Sequence, residues 1–472
     1  MRTNCFLRLF IAFLYFSSLS AKDLTEKISH EFSLLGLPPE QWVEEIILPH
    51  TQHVHEVAIV GGGMAGMAAA FALWQKGIFD VVILDKEKCE EEGCWSHYAR
   101  MSHLRSPKDL PALAIGIPHL TYRAWHEANH GKDSWNTMDK IPLPLWMDYL
   151  RWYRSFLNFK IHNTCCVNQI SPYRNVIKLQ IEHESQKKEI LARRVILATG
   201  RSGWGGAEYP KFIETIPKQA YAHTSECIDF KALQHKTIAI IGAGASAFDA
   251  AYEALENGAH KVDLLMRKKS LPSVEKTESI YHPGFLYGFA FLSDQQRAQI
   301  MNVVLESGTP PPKETLQRVQ TFSNFKIKSN VTIQSAKWID QKIILETPVE
   351  DYSYDYVILA TGFSVDAIKQ PELREFSDDI LLWKDKQGTC KRIEKFPYLG
   401  KHFELMSKNQ NTEFLSKIYC FNHATMLSQG MLSTDIGGIS IAATRLAEGV
   451  TASFFQEQFE SDFEWLMEYE AD

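Results

Sequence analysis

The chain has 472 residues, 45% of them hydrophobic and 23% charged, with a formal net charge of −7. That length supports about three domains and more than one buried core. The composition is that of an ordinary globular protein, and basic residues scattered over a net-negative chain leave no footprint for nucleic acid and point to small-molecule partners.

Residues 1–21, MRTNCFLRLFIAFLYFSSLSA, set Arg2 and Arg8 before an apolar run from Leu9 to Phe16 and end on small residues. This reads as a secretory signal peptide, too short to be a stable membrane span. Against export, no twin-arginine signal is present; periplasmic or secreted and cytoplasmic locations both stay open. Residues 22–53 read as a short helical preamble in which Pro38, Pro39 and Trp42 suggest a segment lying on the first domain.

The chain is organised around His55 to Asp85. A strand over Val57–Val60 runs into Gly61, Gly63 and Gly66, spaced G-x-G-x-x-G; an Ala-rich helix follows, and a second strand, Val81–Leu84, ends on Asp85 and Lys86. This is a βαβ dinucleotide site. Gly61 permits the tight turn, Gly63 leaves room for a pyrophosphate, and Gly66 lets the helix pack closely on the sheet. Met64 and Ala65 open the helix, whose N–H groups and partial positive charge face a diphosphate. Asp85, nineteen residues past Gly66, is placed to accept the ribose hydroxyls of an adenosine.

Beyond a Trp- and Pro-rich region, an amphipathic helix is expected near Leu145–Leu157, its Trp146, Tyr149, Leu150 and Tyr153 stripe serving core packing. Strands follow near Val176–Ile181 and Glu189–Leu197, the second closing at the tight turn Ala198-Thr199-Gly200. A second nucleotide unit opens at Thr237, with Gly242, Gly244 and Ala247 in G-x-G-x-x-A and Ala245 and Ser246 between them. Its next strand, Val262–Leu265, leads into Arg267, Lys268 and Lys269 instead of a carboxylate. Cations there favour a 2′-phosphate, hence NADPH over NADH. Residues 271–330 read as an irregular cap insert. Asp355 to Phe363, DYVILATGF, then repeats the strand ending in Ala-Thr-Gly, here Ala360-Thr361-Gly362, and a helix beginning near Ile436 after Asp435 is expected to aim its N-terminus at the first cofactor.

Taken together, an FAD unit, an ATG strand, an inserted NADPH unit and a returning ATG strand resemble the two-dinucleotide-binding-domain flavoproteins. Within that group the chain resembles the flavin-containing monooxygenases with their Baeyer–Villiger and N-hydroxylating relatives, over roughly His55 to Val450, and in the runs LRSPK, LTYRAWHEA, WMDYLRWYR and PYLG it is similar to a bacterial branch of FAD/NAD(P)-binding oxidoreductases. Glu92-Gly93-Cys94-Trp95 resembles the family's G-G-x-W, which implies a cofactor contact for Trp95. Leu104-Arg105-Ser106-Pro107-Lys108-Asp109 resembles T-N-S-S-K-E, whose Asn faces the flavin; Arg105 takes that place and becomes the candidate catalytic residue, a fixed guanidinium able to stabilise a peroxide anion or orient a nicotinamide. A structural salt bridge is the alternative role for Arg105. The Baeyer–Villiger motif F-x-G-x-x-x-H-x-x-x-W is not kept: His223 aligns with its histidine, but the glycine and tryptophan are missing.

The resemblance implies an α/β fold of two Rossmann-like dinucleotide-binding domains, the NADPH domain (236–346) inserted into a discontinuous FAD domain (54–235 and 347–453), with a tail over 454–472. It implies FAD and NADPH as cofactors, and transfer of one oxygen atom from O2 to a small organic substrate through a flavin hydroperoxide. The substrate and the oligomeric state are unreadable. Aromatic residues Trp125, Trp135, Phe285 and Tyr287 suggest an apolar pocket, and no metal site is assigned. Eight cysteines are present; Cys5 lies in the leader, and the other seven form no regular framework and read as reduced thiols. Cys89 and Cys94 raise a rival, a pyridine-nucleotide disulfide reductase, although three intervening glutamates disfavour thiolates. A flavin-binding sensor without catalysis is a third reading.

Overall fold

A computed structural model describes residues 22–48, 53–386 and 392–469; the signal-peptide reading of residues 1–21 lies outside them. The first sheet carries β1 (Val54–Val60), β2 (Val81–Leu84), β3 (Ile161–His162), β4 (Cys165–Tyr173), β5 (Val176–His183) and β6 (Gln186–Leu197) in the order β3-β2-β1-β6-β5-β4. Its nucleotide half is parallel, and β4-β5-β6 form an antiparallel meander. β1 reads VHEVAIV because a parallel strand is covered on both faces. The helix after it, Met64–Trp74, is buried from Met64 to Leu73, so it is apolar all round instead of amphipathic. It packs against the helix Ile439–Glu457.

The second sheet is five-stranded and wholly parallel, in the order β10-β9-β8-β14-β7: β7 is Tyr221–His223, β8 Thr237–Ile241, β9 Lys261–Leu265, β10 Phe325–Lys328 and β14 Tyr356–Leu359. Between β10 and β14 lies an antiparallel meander of β11 (Ser335–Ile339), β12 (Lys342–Glu346) and β13 (Tyr352–Tyr354). The last strand, β15 (Ile418–Cys420), returns to the first sheet and pairs with the end of β6. The chain therefore leaves the first unit, builds the second and comes back, as expected for an inserted domain.

The crossing points differ from the expectation. β7 and the second ATG strand, β14, both belong to the second sheet, so the first sheet resumes at β15 and not at residue 347. Each nucleotide unit ends in its own Ala-Thr-Gly strand, and two strands with the same job look alike in sequence. The cap over 271–330 is also shorter than read: β10 is its second sheet's edge strand, and the helix Lys313–Gln320 packs on the helix Ala245–Glu256. The rest of the insert docks on the returning segment, where Phe289 and Met301 pack with Met426, Leu427 and Trp383 and Arg297 Nη1 donates to the Ser428 carbonyl at 2.8 Å.

The preamble forms a helix over 22–34 that buries Leu24 and Ile28 and sets Phe32 against Phe71 and Trp74. Trp42 Nε1 donates to the Lys76 carbonyl at 2.7 Å, holding the preamble on the first domain. Trp125 and Trp135 lie in that domain's core with Trp146, Tyr149 and Tyr153, whereas Phe285 is in a different cluster and Tyr287 is 60% exposed. These four residues do not form one pocket, because side chains over an aromatic-rich stretch were needed to fill the core. Among the described residues no helix is long and apolar enough to cross a membrane.

Candidate functional site

Both glycine-rich turns sit at the carboxyl ends of parallel strands. In the first, a Cβ on Gly61 (φ +106°) would stand 2.4 Å from the Ala198 carbonyl oxygen, one on Gly66 would stand 1.9 Å from the Gly61 carbonyl oxygen, and one on Gly63 would press on the Gly93 Cα at 3.3 Å. In the second, a Cβ on Gly242 (φ +122°) would stand 2.3 Å from the Ala360 carbonyl oxygen, while one on Gly244 would meet open space. Thus Ala198-Thr199-Gly200 closes the first turn and Ala360-Thr361-Gly362 the second.

The helices Met64–Trp74 and Ala245–Glu256 start at Gly63 and Gly244 with no side-chain cap and no acid in their first turns. Their leading N–H groups, including those of Met64, Ala65, Ala245 and Ser246, stay available to a diphosphate. Ala247 N instead donates to the Gly244 carbonyl at 2.9 Å and its methyl is buried, which explains a small residue in place of the third glycine. Two uncapped helix ends, each following a glycine, Gly61 or Gly242, whose position tolerates no side chain, fit two dinucleotides.

Asp85 ends β2 almost buried. One carboxylate oxygen accepts from Gly62 N at 2.6 Å and the other from Glu87 N at 2.8 Å, leaving lone pairs for ribose hydroxyls. Burial nonetheless raises its pKa above the ordinary carboxylate value. Lys86 is 69% exposed and lies 3.6 Å from the Glu87 carboxylate. Trp95 stands edge-on to Trp146 at 6.1 Å and its ring edge is 3.8 Å from a Cβ built on Gly93. In the second unit Lys268 Nζ donates to the carbonyls of Glu306 at 3.0 Å and Ser307 at 3.3 Å, closing the end of the helix Asp294–Ser307, while Arg267 beside it is exposed.

Arg105 reaches across to the second unit. Its Nη2 pairs with the Asp249 carboxylate on the helix Ala245–Glu256, the salt-bridge role weighed above. Asp249 is buried, which raises its pKa against the opposing pull of Arg105. Lys108 donates to the carbonyls of Trp135 and Met138. His223 is buried in β7, with Nδ1 2.7 Å from the Ser225 hydroxyl, and its ring lies 5.8 Å from Phe363.

Asp435 also differs from its expected setting. The helix starts at Ile439, three residues later than read, because Gly438 N and Ile439 N donate to the Asp435 carbonyl and form a turn ahead of it. The Asp435 carboxylate accepts the Tyr281 hydroxyl from the insert, and burial raises the pKa of both groups. Sequence reading passed over Tyr281, Asn422, His423 and Arg201. Asn422 Nδ2 donates to Thr199 Oγ1 at 3.1 Å, joining β15's end to the first ATG turn. Arg201, exposed just after Gly200, acts electrostatically on Cys94, Tyr98, His423 and Asp435. His423 is pushed down to about 3 by burial and by Arg201, so it is neutral at physiological pH. Cys89 and Cys94 are unbonded, and burial raises the Cys94 thiol.

The fold and its paired glycine turns define an oxidoreductase with two dinucleotide-binding domains. Residues 58–283 match the family model described as pyridine nucleotide-disulphide oxidoreductase. The chain is 32% identical over 461 residues, 96% of its length and 97% of the relative's, to an FAD-dependent urate hydroxylase of Xanthomonas campestris pv. campestris. Among solved structures it is similar to the ornithine hydroxylase PvdA of Pseudomonas aeruginosa (TM-score 0.68, 18% identity, 84% of this chain and 99% of that one). It is also similar to a bacillithiol disulfide reductase of Staphylococcus aureus (TM-score 0.56, 17% identity, 85% and 99%). The chain belongs to the family of FAD-dependent flavoprotein monooxygenases that includes the urate hydroxylase.

Proposed function

We propose that this protein is an FAD- and NADPH-dependent monooxygenase acting on urate or a closely related oxopurine. Full-length similarity to an FAD-dependent urate hydroxylase is the observation that carries the substrate class, and the two uncapped glycine turns support two dinucleotides. Bound flavin would supply reaction with oxygen once reduced. The chain's own residues do the rest. Gly61, Gly63, Met64, Ala65 and Gly66 hold one diphosphate and Asp85 its ribose, with Lys86, Trp95, Ala198, Thr199 and Gly200 lining that cofactor's path. Gly242, Gly244, Ala245, Ser246 and Ala247 hold the other diphosphate, Arg267 the 2′-phosphate, and Thr361 and Gly362 close the turn beneath it. Lys268 supports Arg267 by fixing the neighbouring helix.

The domain limits proposed here are a first-unit part over 54–220, a second unit over 221–363 and a return over 364–453, since β7 and β14 pair with the second sheet. The insert and returning segment, joined by Tyr281 and Asp435, cover the site and exclude water. Arg201 and neutral His423 provide a cation and an uncharged hydrogen-bonding ring to a planar anionic purine. The test is NADPH oxidation by the FAD-loaded protein with and without urate: urate-dependent consumption of NADPH together with loss of urate supports the proposal, and NADPH oxidation that leaves urate intact rejects the substrate class.

A further inference from the structure

At the opposite end of the first sheet from the nucleotide turns, His53, His55 and Asp80 come together. His53 and His55 are two residues apart along an extended segment, so they share one face while Val54 between them turns into the core at 4% exposure. Asp80 immediately precedes β2, and its backbone is fixed by Val57 N, which donates to the Asp80 carbonyl at 3.2 Å. Its own N–H and that of Phe79 donate to the buried Glu56 carboxylate at 3.1 and 3.0 Å. This rigid backbone aims one carboxylate oxygen at each ring: Oδ2 is 2.7 Å from His53 Nε2 and Oδ1 is 2.8 Å from His55 Nδ1. The rings are perpendicular, with centroids 4.7 Å apart.

We propose that His53 Nε2, His55 Nδ1 and Asp80 form a binding site for a divalent transition-metal ion, with zinc as its reference ligand. The ligand atoms all lie within 4.8 Å of one another, and this is the cluster of that kind among the described residues. Two imidazoles and one carboxylate are a borderline-soft set that suits zinc, copper or nickel and not magnesium or calcium, which take oxygen ligands. Metal–ligand bonds of about 2.0–2.2 Å in tetrahedral geometry hold ligand atoms a little over 3 Å apart. The two nitrogen–oxygen separations of 2.7 and 2.8 Å need to open by roughly half an ångström and the spread of up to 4.8 Å across the three ligand atoms needs to close, and His53 and His55, with side chains 53% and 26% exposed, have room to turn. The ring nitrogens that face Asp80 donate to its carboxylate in the metal-free protein, so binding moves each of those protons to the other ring nitrogen or to solvent before the lone pair reaches the ion. Solvent completes the shell. Such an ion joins the chain entering β1 to the loop entering β2, far from the carboxyl ends where the nucleotides bind, and its role is structural.

The test uses full-length, FAD-loaded protein stripped with a chelator and titrated calorimetrically with zinc, with magnesium as the control. One zinc site with a dissociation constant on the order of micromolar is expected, weakened at least about 100-fold by His53→Ala and by His55→Ala. Zinc should raise the Tm of the parent and not of either variant. NADPH oxidation should be unchanged in both. His53 is half exposed, so its variant tests the site without threatening the fold. Equal zinc affinity in parent and both variants would place the ion on thiols such as Cys89 and overturn the proposal, as would the lack of any saturable zinc site.

Discussion

Arg105 of the first unit and Asp249 of the second close an ion pair between the two nucleotide-binding units, with Asp249 buried and Arg105 38% exposed on its side chain. Removing the guanidinium leaves a buried carboxylate without its partner. Because solvent still reaches the arginine, Arg105→Ala should cost about 1–2 kcal/mol of stability, less than a fully buried pair. It should also raise the KM for NADPH while flavin content stays full, since Asp249 stands on the helix that opens at the second glycine turn. Chemical denaturation and steady-state kinetics check this. Unchanged NADPH kinetics with a selective loss of oxygen reactivity would instead put Arg105 at the flavin face.

Gly61 and Gly242 each turn their absent side chain into the carbonyl of their own Ala-Thr-Gly strand. Gly61→Ala should give protein that purifies without flavin. Gly242→Ala should keep flavin and bind NADPH far more weakly. Flavin content by absorbance and NADPH binding by fluorescence separate the two turns, and loss of both ligands in both variants would contradict their independence.

Arg267 and Lys268 are adjacent cations with different engagements. Lys268 is held by two helix carbonyls, so Arg267→Ala should raise the KM for NADPH roughly 10–100-fold, the worth of a charge-assisted hydrogen bond, and leave that for NADH unchanged. Lys268→Ala should act chiefly on thermal stability. Parallel kinetics with the two coenzymes decide it.

Two histidines set an acid limit. Burial pushes His126 down to about 4, and burial with Arg201 pushes His423 down to about 3, so both bind fewer protons folded than unfolded. Their contribution is complete above the ordinary histidine pKa of 6.5 and is lost as pH falls from there toward 4 and 3. Tm should therefore drop across that window, and His126→Gln should flatten its upper part. Asp85 and Asp435, both raised, act in the opposite sense, favouring the fold below the ordinary carboxylate pKa and losing that contribution as pH rises through their folded values.

Cys89 is exposed and unbonded, and Cys94 is raised by burial. Cys89→Ser should leave NADPH oxidation unchanged. Loss of turnover would revive disulfide chemistry.

The nucleotide units were legible because their signals are local: a strand, glycines at fixed spacing and a helix lie within thirty residues. β2 lies where its four apolar residues placed it, and β1 and β6 extend the expected strands by three residues each. What depended on pairing was not legible. Ala360-Thr361-Gly362 carries no mark of which sheet its strand joins, since that is settled by β8 alongside it. Phe325–Lys328 is too short and polar to announce an edge strand. Arg105 came into view by position in a motif, but its partner Asp249 lies 144 residues away, and Tyr281 meets Asp435 over 154. His53 and His55 become a cluster only through Asp80, which immediately precedes the neighbouring strand β2. The helix of residues 439–457 starts late because a hydrogen-bonded turn at Asp435 intervenes, and Gly437 and Gly438 hide that turn as an ordinary helix start.

The most direct test of the central claim follows the oxygen atom. The FAD-loaded protein would turn over with NADPH and urate under ¹⁸O₂, with mass analysis of the purine product and of hydrogen peroxide. Monooxygenation predicts one labelled oxygen per product molecule and one product per NADPH oxidised. Unlabelled purine, with the oxidised NADPH recovered as hydrogen peroxide, would contradict it.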